Sequence, residues 1–449
     1  MNLQYNFRRN FLVVITVCGI FLVIPMFENT YAEDNFEKQF LFNYFYHNQN
    51  IDNRYLESNN VIPNQFIIYL RDNQENNLID PIEFYNSELK DTGTELLYVY
   101  YHVVKGLAIK IPNEKVLEQL KNNPLVEYMG NDRKISAFIN TPTGNQIIPE
   151  SVDRVDGERL NNININSNFV DADIAILDTG IDLDHADLNI FHERSFIPGT
   201  INADDDHGHG THLAGVAAAK DNSFGSVGIA PGARLWAIKV LEGTGTGEIS
   251  TLIKGLDYIN QNRNQVDVAV LSLGCECKSG ALDIAINNSI KAGTTIVVAA
   301  GNVGKDARTF TPANNPEVIT VSAIVDTDGK CGSKGPSTPY GADDTLASFS
   351  NYGDVVDISA PGVEIYSTFK SNSYTKLTGT SMAAPHVAGA AALYISSHPG
   401  ASPNDVKSYL VTSGTNLSDL CDGNGHGYFA GDKDSFHEPL LYIGANKVT

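Results

Sequence analysis

The sequence predicts an α/β fold, a mostly parallel sheet with helices on both faces, preceded by a small α+β domain. From residue 173 on, near-continuous apolar runs alternate with helical patterns, as strands buried on both faces require. Between about 64 and 135 the apolar runs are short and enclose a single helical segment. Residues able to do chemistry fall at the carboxyl ends of the later runs, where open α/β sheets place their ligands.

In the first part, strands are expected at 66–70, 96–104, 106–111 and 126–129, with a helix at 113–121. Between Ile139 and Ile147 no apolar side chain occurs, and Asn-Thr-Pro-Thr-Gly-Asn-Gln suits an exposed linker open to proteolysis. Maturation is expected there. Beyond it, strands are expected at 173–178, 234–241, 266–271, 296–300 and 318–324. Helices are expected at 209–219, 249–262 and 282–292, and a closing strand at 439–443. Residues 326–346, rich in Gly, Ser and Pro, read as a surface insertion.

With 449 residues and 42% hydrophobic composition, the chain can bury a sizeable core. Its 53 acids against 31 bases give a net charge of −22, which disfavours nucleic acid or an anionic membrane as partner and favours hard cations. Arg8 and Arg9, the apolar run 11–27 and Thr30-Tyr31-Ala32 read as a secretory signal cut after Ala32. The product is expected to be secreted, or surface-anchored if the signal is retained, with no other membrane contact. Residues 33–60 are polar and Asn-rich, without usable periodicity.

Apart from Cys18 in the signal, the cysteines are Cys275, Cys277, Cys331 and Cys421. An even number in an exported chain suggests disulfides, and four cysteines allow three pairings. A Cys275–Cys277 bridge would close a very tight ring, so each is expected to pair elsewhere. One of the bridges is expected to pin the insertion through Cys331.

Three segments stand out. Asp178-Thr179-Gly180-Ile181-Asp182 follows an apolar run, His209-Gly210-Thr211-His212 opens an Ala-rich helix, and Ser381 lies in Gly379-Thr380-Ser381-Met382-Ala383-Ala384-Pro385-His386. The small residues after Ser381 suit a helix buried against other backbone. At its start, unpaired N–H groups and the macrodipole can stabilise developing negative charge. Taken singly, each segment has a plainer reading: a capped core helix, a turn aspartate, a core histidine. His207, His209 and His212 could also be a metal cluster, but that leaves Asp178 and Ser381 unexplained.

In the order Asp, His, Ser, with Ala299-Ala300-Gly301-Asn302 and Ser272-Leu273-Gly274 between, these blocks resemble the subtilisin-like serine proteases from about residue 146 to the C-terminus. The resemblance implies a catalytic triad of Asp178, His209 and Ser381, with His212 and His386 structural. Ser381 needs His209 to take its proton and Asp178 to hold the imidazole. Asn302 would donate to the oxyanion. Gly245, Thr246 and Gly247, with Ser272, Leu273 and Gly274, would sandwich an extended substrate as an added strand. Ala299 and Gly301 would also bind substrate, and Leu273, Ala299, Ala300 and Pro312-Ala313 would line an uncharged pocket favouring apolar or aromatic P1 residues.

The family's propeptide is similar to the α+β segment, and Gln146 to Pro149 resembles a mature N-terminus. The resemblance therefore implies a signal at 1–32, an inhibitory propeptide at 33–144 and a peptidase domain at 145–449. A template suits the fold, because long-range parallel pairing forms slowly. It also implies a calcium site formed by Gln146, Asp187, Lys220, Asn222, Phe224 and Ser226. The expected activity is a self-processing serine endopeptidase, a monomer acting on proteins or peptides. The rivals are an inactive scaffold acting as a binding protein and an esterase or amidase; the latter lacks the usual G-x-S-x-G elbow.

Overall fold

The structure is a computed structural model describing residues 12–17, 20–25, 61–71, 80–137, 149–157, 169–222 and 224–444. The chain divides into compact units Met1–Ser58 and Asn59–Thr449. In the first, strands β1 (Leu12–Val17) and β2 (Ile20–Pro25) pair antiparallel. Among the described residues, no helix is long and apolar enough to cross a membrane. The expected cut after Ala32 and the linker 139–147 lie outside the described residues, as does the Asn-rich segment 33–60.

The second unit begins with the α+β domain. Strand β3 (Val61–Leu70) is followed by α1 (Pro81–Phe84), which continues as a π-turn through Leu89, then β4 (Glu95–Tyr100) and β5 (Gly106–Lys110). Helix α2 (Glu114–Lys121) and β6 (Val126–Ala137) complete it. The sheet runs β6-β3-β5-β4, all antiparallel. One face buries Ile68, Leu107 and Ile109 against Phe84, Val116 and Leu120 of the helices. Strand β6 is three times the expected length: it runs to Ala137 rather than ending at Met129. The expected strand 96–104 ends at Tyr100, because residues 101–103 turn to give their N–H groups to Asp257.

After the short helix α3 (Glu150–Arg154), the chain alternates strand and helix. The order is β7 (Asp173–Asp178), β8 (Ile190–Ser195), α4 (His209–Ala218), β9 (Arg234–Lys239), β10 (Thr246–Glu248), α5 (Ile249–Gln261) and β11 (Val268–Leu271). There follow β12 (Leu273–Gly274), α6 (Gly280–Lys291), β13 (Thr295–Ala299), β14 (Ile319–Val325), β15 (Thr345–Leu346), β16 (Ile358–Pro361), the hairpin β17 (Ile365–Phe369) and β18 (Ser373–Leu377), α7 (Thr380–Ser397) and α8 (Pro403–Ser413).

The main sheet has the order β15-β14-β13-β11-β7-β9-β8, with β16 also on β14. Every pairing in it is parallel except β14 with β15. It is an α/β fold. One apolar cluster joins α4 and α7 to one face of the sheet, and a second joins α5 and α6 to the other. Helix α7 is buried from Thr380 to Leu393, as its small residues require.

Two expectations need correcting. Residues 439–443 form no strand; Leu440 makes single bridges to Ser359 and Thr415. Cys275 and Cys277 bond to each other, and Cys331 bonds to Cys421. The tight ring forms because the chain turns sharply, with Cys277 N–H donating to Cys275 C=O at 2.9 Å and the Cα atoms 5.3 Å apart. The second disulfide does pin the insertion. Its interior is held by buried Arg154, which donates to Asp344 at 2.9 Å.

Candidate active site

Strand β7 lies mid-sheet, and Asp178 is its last residue, wholly buried. The loop beyond it meets the start of α4 at two glycines, since a Cβ on Gly210 would collide with the Gly180 carbonyl. Such close approach is what the missing side chain permits. It sets His209, the first residue of α4, with Nδ1 at 2.7 Å from Asp178 Oδ1. Asp178 Oδ1 also accepts from Thr179 N–H at 2.8 Å.

Asp205, not singled out from the sequence, holds this junction. It accepts from the N–H groups of His207, Gly208 and Thr211 and from the hydroxyls of Thr179 and Thr211, at 2.6–3.0 Å. An Asp four residues before His209, beside a helix start, was the available signal. Buried Lys239 on β9 supports the same loop, donating to Thr179 C=O at 2.5 Å and Asp206 at 2.6 Å.

Ser381 is the second residue of α7. Its hydroxyl donates to Ser272 C=O at 3.2 Å, and Ser272 Oγ donates back to Ser381 C=O at 3.0 Å. Ser381 is thereby tied to the start of β12. His209 Nε2 is buried without a hydrogen-bond partner among the described residues, so a Ser381–His209 bond is not made here. Nucleophile–base contacts of this kind commonly tighten only when the reacting group is in place.

Asn302 follows β13. Its Oδ1 accepts from Thr380 N–H at 2.9 Å and Thr380 Oγ1 at 2.7 Å, which fixes the amide. The Nδ2 is left buried without a partner among the described residues. A donor oriented in this way suits a developing oxyanion. Asn351 braces the loop, donating to Ala300 C=O at 2.8 Å and accepting from Val303 and Lys305 N–H.

His212 and His386 are buried in the core. His212 Nε2 lies 2.9 Å from Ile365 C=O, and burial, with His209 nearby, pushes its pKa down to about 3. Burial lowers His386 to about 4, while its Nδ1 contacts Met382 C=O at 2.8 Å. Both are neutral, bonded imidazoles. His207 is also lowered, by burial first and by His209 next.

The two expected substrate segments flank one strand. Strand β6 pairs antiparallel with β10 (Thr246↔Ser136, Gly247↔Ile135, Glu248↔Lys134) and with β12 (Leu273↔Ala137, Gly274↔Ser136). Gly245, at the head of β10, has φ +75°, a turn that glycine makes without strain. Ala299, Ala300, Leu273 and Ala313 are buried, and Gly301 N–H donates to Thr380 Oγ1 at 3.1 Å. Cys275 and Thr311 exchange backbone hydrogen bonds at 3.0 Å, tying the end of β12 to the loop bearing Pro312.

Of the six expected calcium ligands, five are described: Lys220, Asn222 and Ser226 bond to Asp187, and Phe224 bonds to Asn222. The buried Asp187 carboxylate accepts from Asn222 Nδ2 (2.7 Å), Ser226 N–H (3.0 Å) and Tyr374 OH (3.1 Å), and the Asp187 C=O from Lys220 N–H (2.9 Å). Phe224 N–H donates to Asn222 Oδ1 at 3.2 Å. Gln146 lies outside the described residues. Burial, and next Asp187, hold the Tyr374 phenol well above its ordinary pKa. A second acidic group, Asp326, Asp328 and Asp343, sits in the insertion. There Arg154 Nε lies 3.7 Å from Asp326 Oδ2 and supplies the positive charge.

This arrangement agrees with comparisons to known proteins. The Subtilase family, as Peptidase_S8, matches residues 171–428, more than half of the chain. The alkaline protease of Alkalihalobacillus alcalophilus is 35% identical over 331 residues, 74% of this chain and 79% of that protein. Subtilisin DY of Bacillus licheniformis is 41% identical over 249 residues, 55% of this chain and 84% of that protein. A crystal structure of a cold adapted subtilisin-like serine proteinase superposes with a TM-score of 0.53 at 30% identity, covering 66% of this chain and 98% of that one. The chain belongs to the subtilase family. It is a serine-type endopeptidase, and proteins are its substrates.

Proposed function

We propose that this endopeptidase is exported as a zymogen and cleaves peptide bonds through Ser381, His209 and Asp178. Ser381 Oγ attacks the carbonyl carbon while His209 Nε2 takes its proton, and Asp178 holds the imidazole through Nδ1. The oxyanion is met by Asn302 Nδ2 and the Ser381 N–H, aided by the amino end of α7. His209 then protonates the leaving amine, and water releases the acyl-enzyme. The observation carrying this reading is that a strand of the chain's own N-terminal domain occupies the edge between β10 and β12, next to Ser381.

Residues 1–32 act as the export signal, 33–144 as propeptide and 145–449 as peptidase, with the linker cut by the enzyme itself and the propeptide as its inhibitor. The active form is a secreted monomer. Substrates are recognised mainly through backbone, by Gly245, Thr246 and Gly247 on one side and Ser272, Leu273 and Gly274 on the other, which favours broad specificity. Leu273, Ala299, Ala300, Pro312 and Ala313, with Gly301 beside them, would line an uncharged P1 pocket, which favours apolar P1 groups.

Calcium fits the Asp187 loop by its chemistry. The donors are a carboxylate, an amide and carbonyls, all hard oxygens, and the buried Asp187 makes no ion pair among the described residues. Asp187, Asn222, Lys220, Phe224 and Ser226 would hold the ion, joined by Gln146 once the linker is cut. The ion would supply structural charge compensation and takes no part in the reaction.

A casein or tetrapeptide-nitroanilide assay with a serine-reactive inhibitor tests this reading. Hydrolysis of both, abolished by the inhibitor, is expected. No hydrolysis by processed protein would favour an inactive scaffold, and turnover of esters alone would favour an esterase.

A further inference from the structure

Strands β11 and β13 are neighbours in the main sheet and pair in parallel as far as Leu271↔Val298. Beyond that rung they part. Ser272 leads into β12, which pairs with β6, whereas Ala299 and Ala300 stay with β14, Ala300 N–H donating to Val321 C=O at 2.9 Å. By the proposed reading, the two segments that part in this way are the walls of the P1 pocket, and the second of them leads to Asn302. The surroundings are apolar, since Leu273, Ala300, Phe310 and Ala313 are buried in one cluster with Cys275 and Cys277.

The walls are joined again past their parting. Glu276, just beyond β12, holds Lys305, just beyond Asn302, with its two carboxylate oxygens 2.9 and 3.0 Å from Nζ. The Glu276 side chain is 15% exposed and that of Lys305 37%, so water screens the pair only in part. The backbone of Lys305 belongs to the Asn302 loop. Its N–H donates to Asn351 Oδ1 at 3.0 Å, and Asn351 donates to Ala300 C=O at 2.8 Å and Gly301 C=O at 2.9 Å. Asn351 and Thr380 thus brace this loop from one side, and Glu276 reaches it from the β12 side.

A glutamate on an open loop gives up backbone and side-chain freedom to make such a contact. Here the chain has lost that freedom already. Cys275 and Cys277 are bonded and Cys277 N–H donates to Cys275 C=O at 2.9 Å, which leaves Glu276 at the apex of a closed ring. Cys275 also exchanges backbone hydrogen bonds with Thr311 at 3.0 Å, so the ring is fixed to the loop that bears Pro312.

We propose that Glu276, aimed by the Cys275–Cys277 ring, is a positioning residue whose bond to Lys305 clamps the β12 wall to the Asn302 wall and sets the width of the P1 pocket. This rests on the proposed roles of Asn302 and of the uncharged pocket. With the clamp closed the walls resist spreading, so a bulky P1 side chain is held back relative to a small one. With it open that discrimination relaxes, and Asn302, on a looser loop, meets the oxyanion less often.

The test is kcat and KM of the processed enzyme on tetrapeptide nitroanilides that differ only at P1, Phe against Ala. The variants are Glu276→Gln, Lys305→Met, Cys275→Ala with Cys277→Ala, and the reversed pair Glu276→Lys with Lys305→Glu. In the first three the Phe:Ala ratio of kcat/KM should rise about fivefold or more, the scale of one well-formed ion pair, mainly through KM for Phe. Their kcat should fall about two- to fivefold on both substrates. The reversed pair should bring the ratio back to within about twofold of wild type. Glu276→Gln and Lys305→Met strike the pair from opposite sides, so either one that matures decides the matter. A ratio unmoved in them, with only a lower melting temperature, overturns the clamp and leaves a structural brace. A shifted ratio that the reversed pair does not restore overturns the ion pair as its cause. Strict cleavage after Lys or Arg by wild type overturns the uncharged pocket and the clamp with it, whereas an apolar P1 preference with an unmoved ratio overturns the clamp alone.

Discussion

Asp257 on α5 offers a direct measure of what holds the N-terminal domain on the enzyme. Asp257 is 1% exposed, and its carboxylate accepts from the N–H groups of Tyr101, His102 and Val103 at 3.2, 2.5 and 2.8 Å. Lys254 donates to the same carboxylate at 3.1 Å and to Val99 C=O at 2.7 Å. Hydrogen bonds to a charged group contribute about 1.5–3 kcal/mol each, and an orphaned buried donor costs about 1–3 kcal/mol. Asp257→Ala strips three N–H groups at once. Water can reach the half-buried Tyr101 and the exposed His102, so a loss of about 3–5 kcal/mol is expected rather than the full sum. At about 1.4 kcal/mol per decade, this weakens the processed complex by two to nearly four decades. The assay is recovery of peptidase activity on dilution, which under the proposed inhibitory role follows dissociation of the N-terminal domain. Lys254 keeps its Val99 contact, so Asp257→Asn should fall between wild type and Ala. Dissociation unchanged within threefold in Asp257→Ala would refute the assignment of this carboxylate as the principal polar anchor.

Three further outcomes are expected. Burial raises Asp132 to about 6, against the opposing hydrogen bond from Ser250 and with Glu248 adding to the rise. The docked state therefore takes up a proton more readily than the separated one. Docking gains as pH falls from about 6 toward 4 and loses that contribution, up to about 3 kcal/mol, as pH rises through 6. Dissociation rates between pH 5 and 7 should show this slope, and Asp132→Asn should flatten it. Asn302→Leu should lower kcat by about 10²–10³ with little change in KM, a magnitude borrowed from subtilisin, where it was established; a purely KM effect would contradict an oxyanion role. For inhibited mature enzyme, calcium at about 100 times its Kd should add about 2.7 kcal/mol of stability. A melting temperature that does not move between EDTA and millimolar calcium would exclude the Asp187 site.

Much of the site was legible because its chemistry is written in short local blocks. Asp178 closes an apolar run, His209 opens a helix, Ser381 precedes small residues, and all three stand at strand–helix junctions in the structure. What sequence reading missed depends on partners distant in the chain. Residues 130–134, Gly-Asn-Asp-Arg-Lys, look like a loop, yet they extend β6 because Asp132 receives Gln65 at 2.8 Å and Ser250 N–H at 3.0 Å. No local period reveals a strand whose second partner is another domain. Edge strand β8, Ile-Phe-His-Glu-Arg-Ser, is mostly exposed and so lacks the apolar run that marked its neighbours. Helix α1 could have been found, since Asp80 caps it and Pro81 begins it. The Cys275–Cys277 bond was misjudged by treating ring size alone, where a local turn sets the distance.

The central claim is that Ser381 does the chemistry, on this chain first and on substrates afterwards. The most direct measurement is precursor mass for Ser381→Ala made in a protease-free host, with wild type alongside. Wild type should be processed, and Ser381→Ala should stay at full precursor mass with no hydrolysis of casein. Processing of Ser381→Ala at the wild-type rate in the segment after Ala137 would contradict the account.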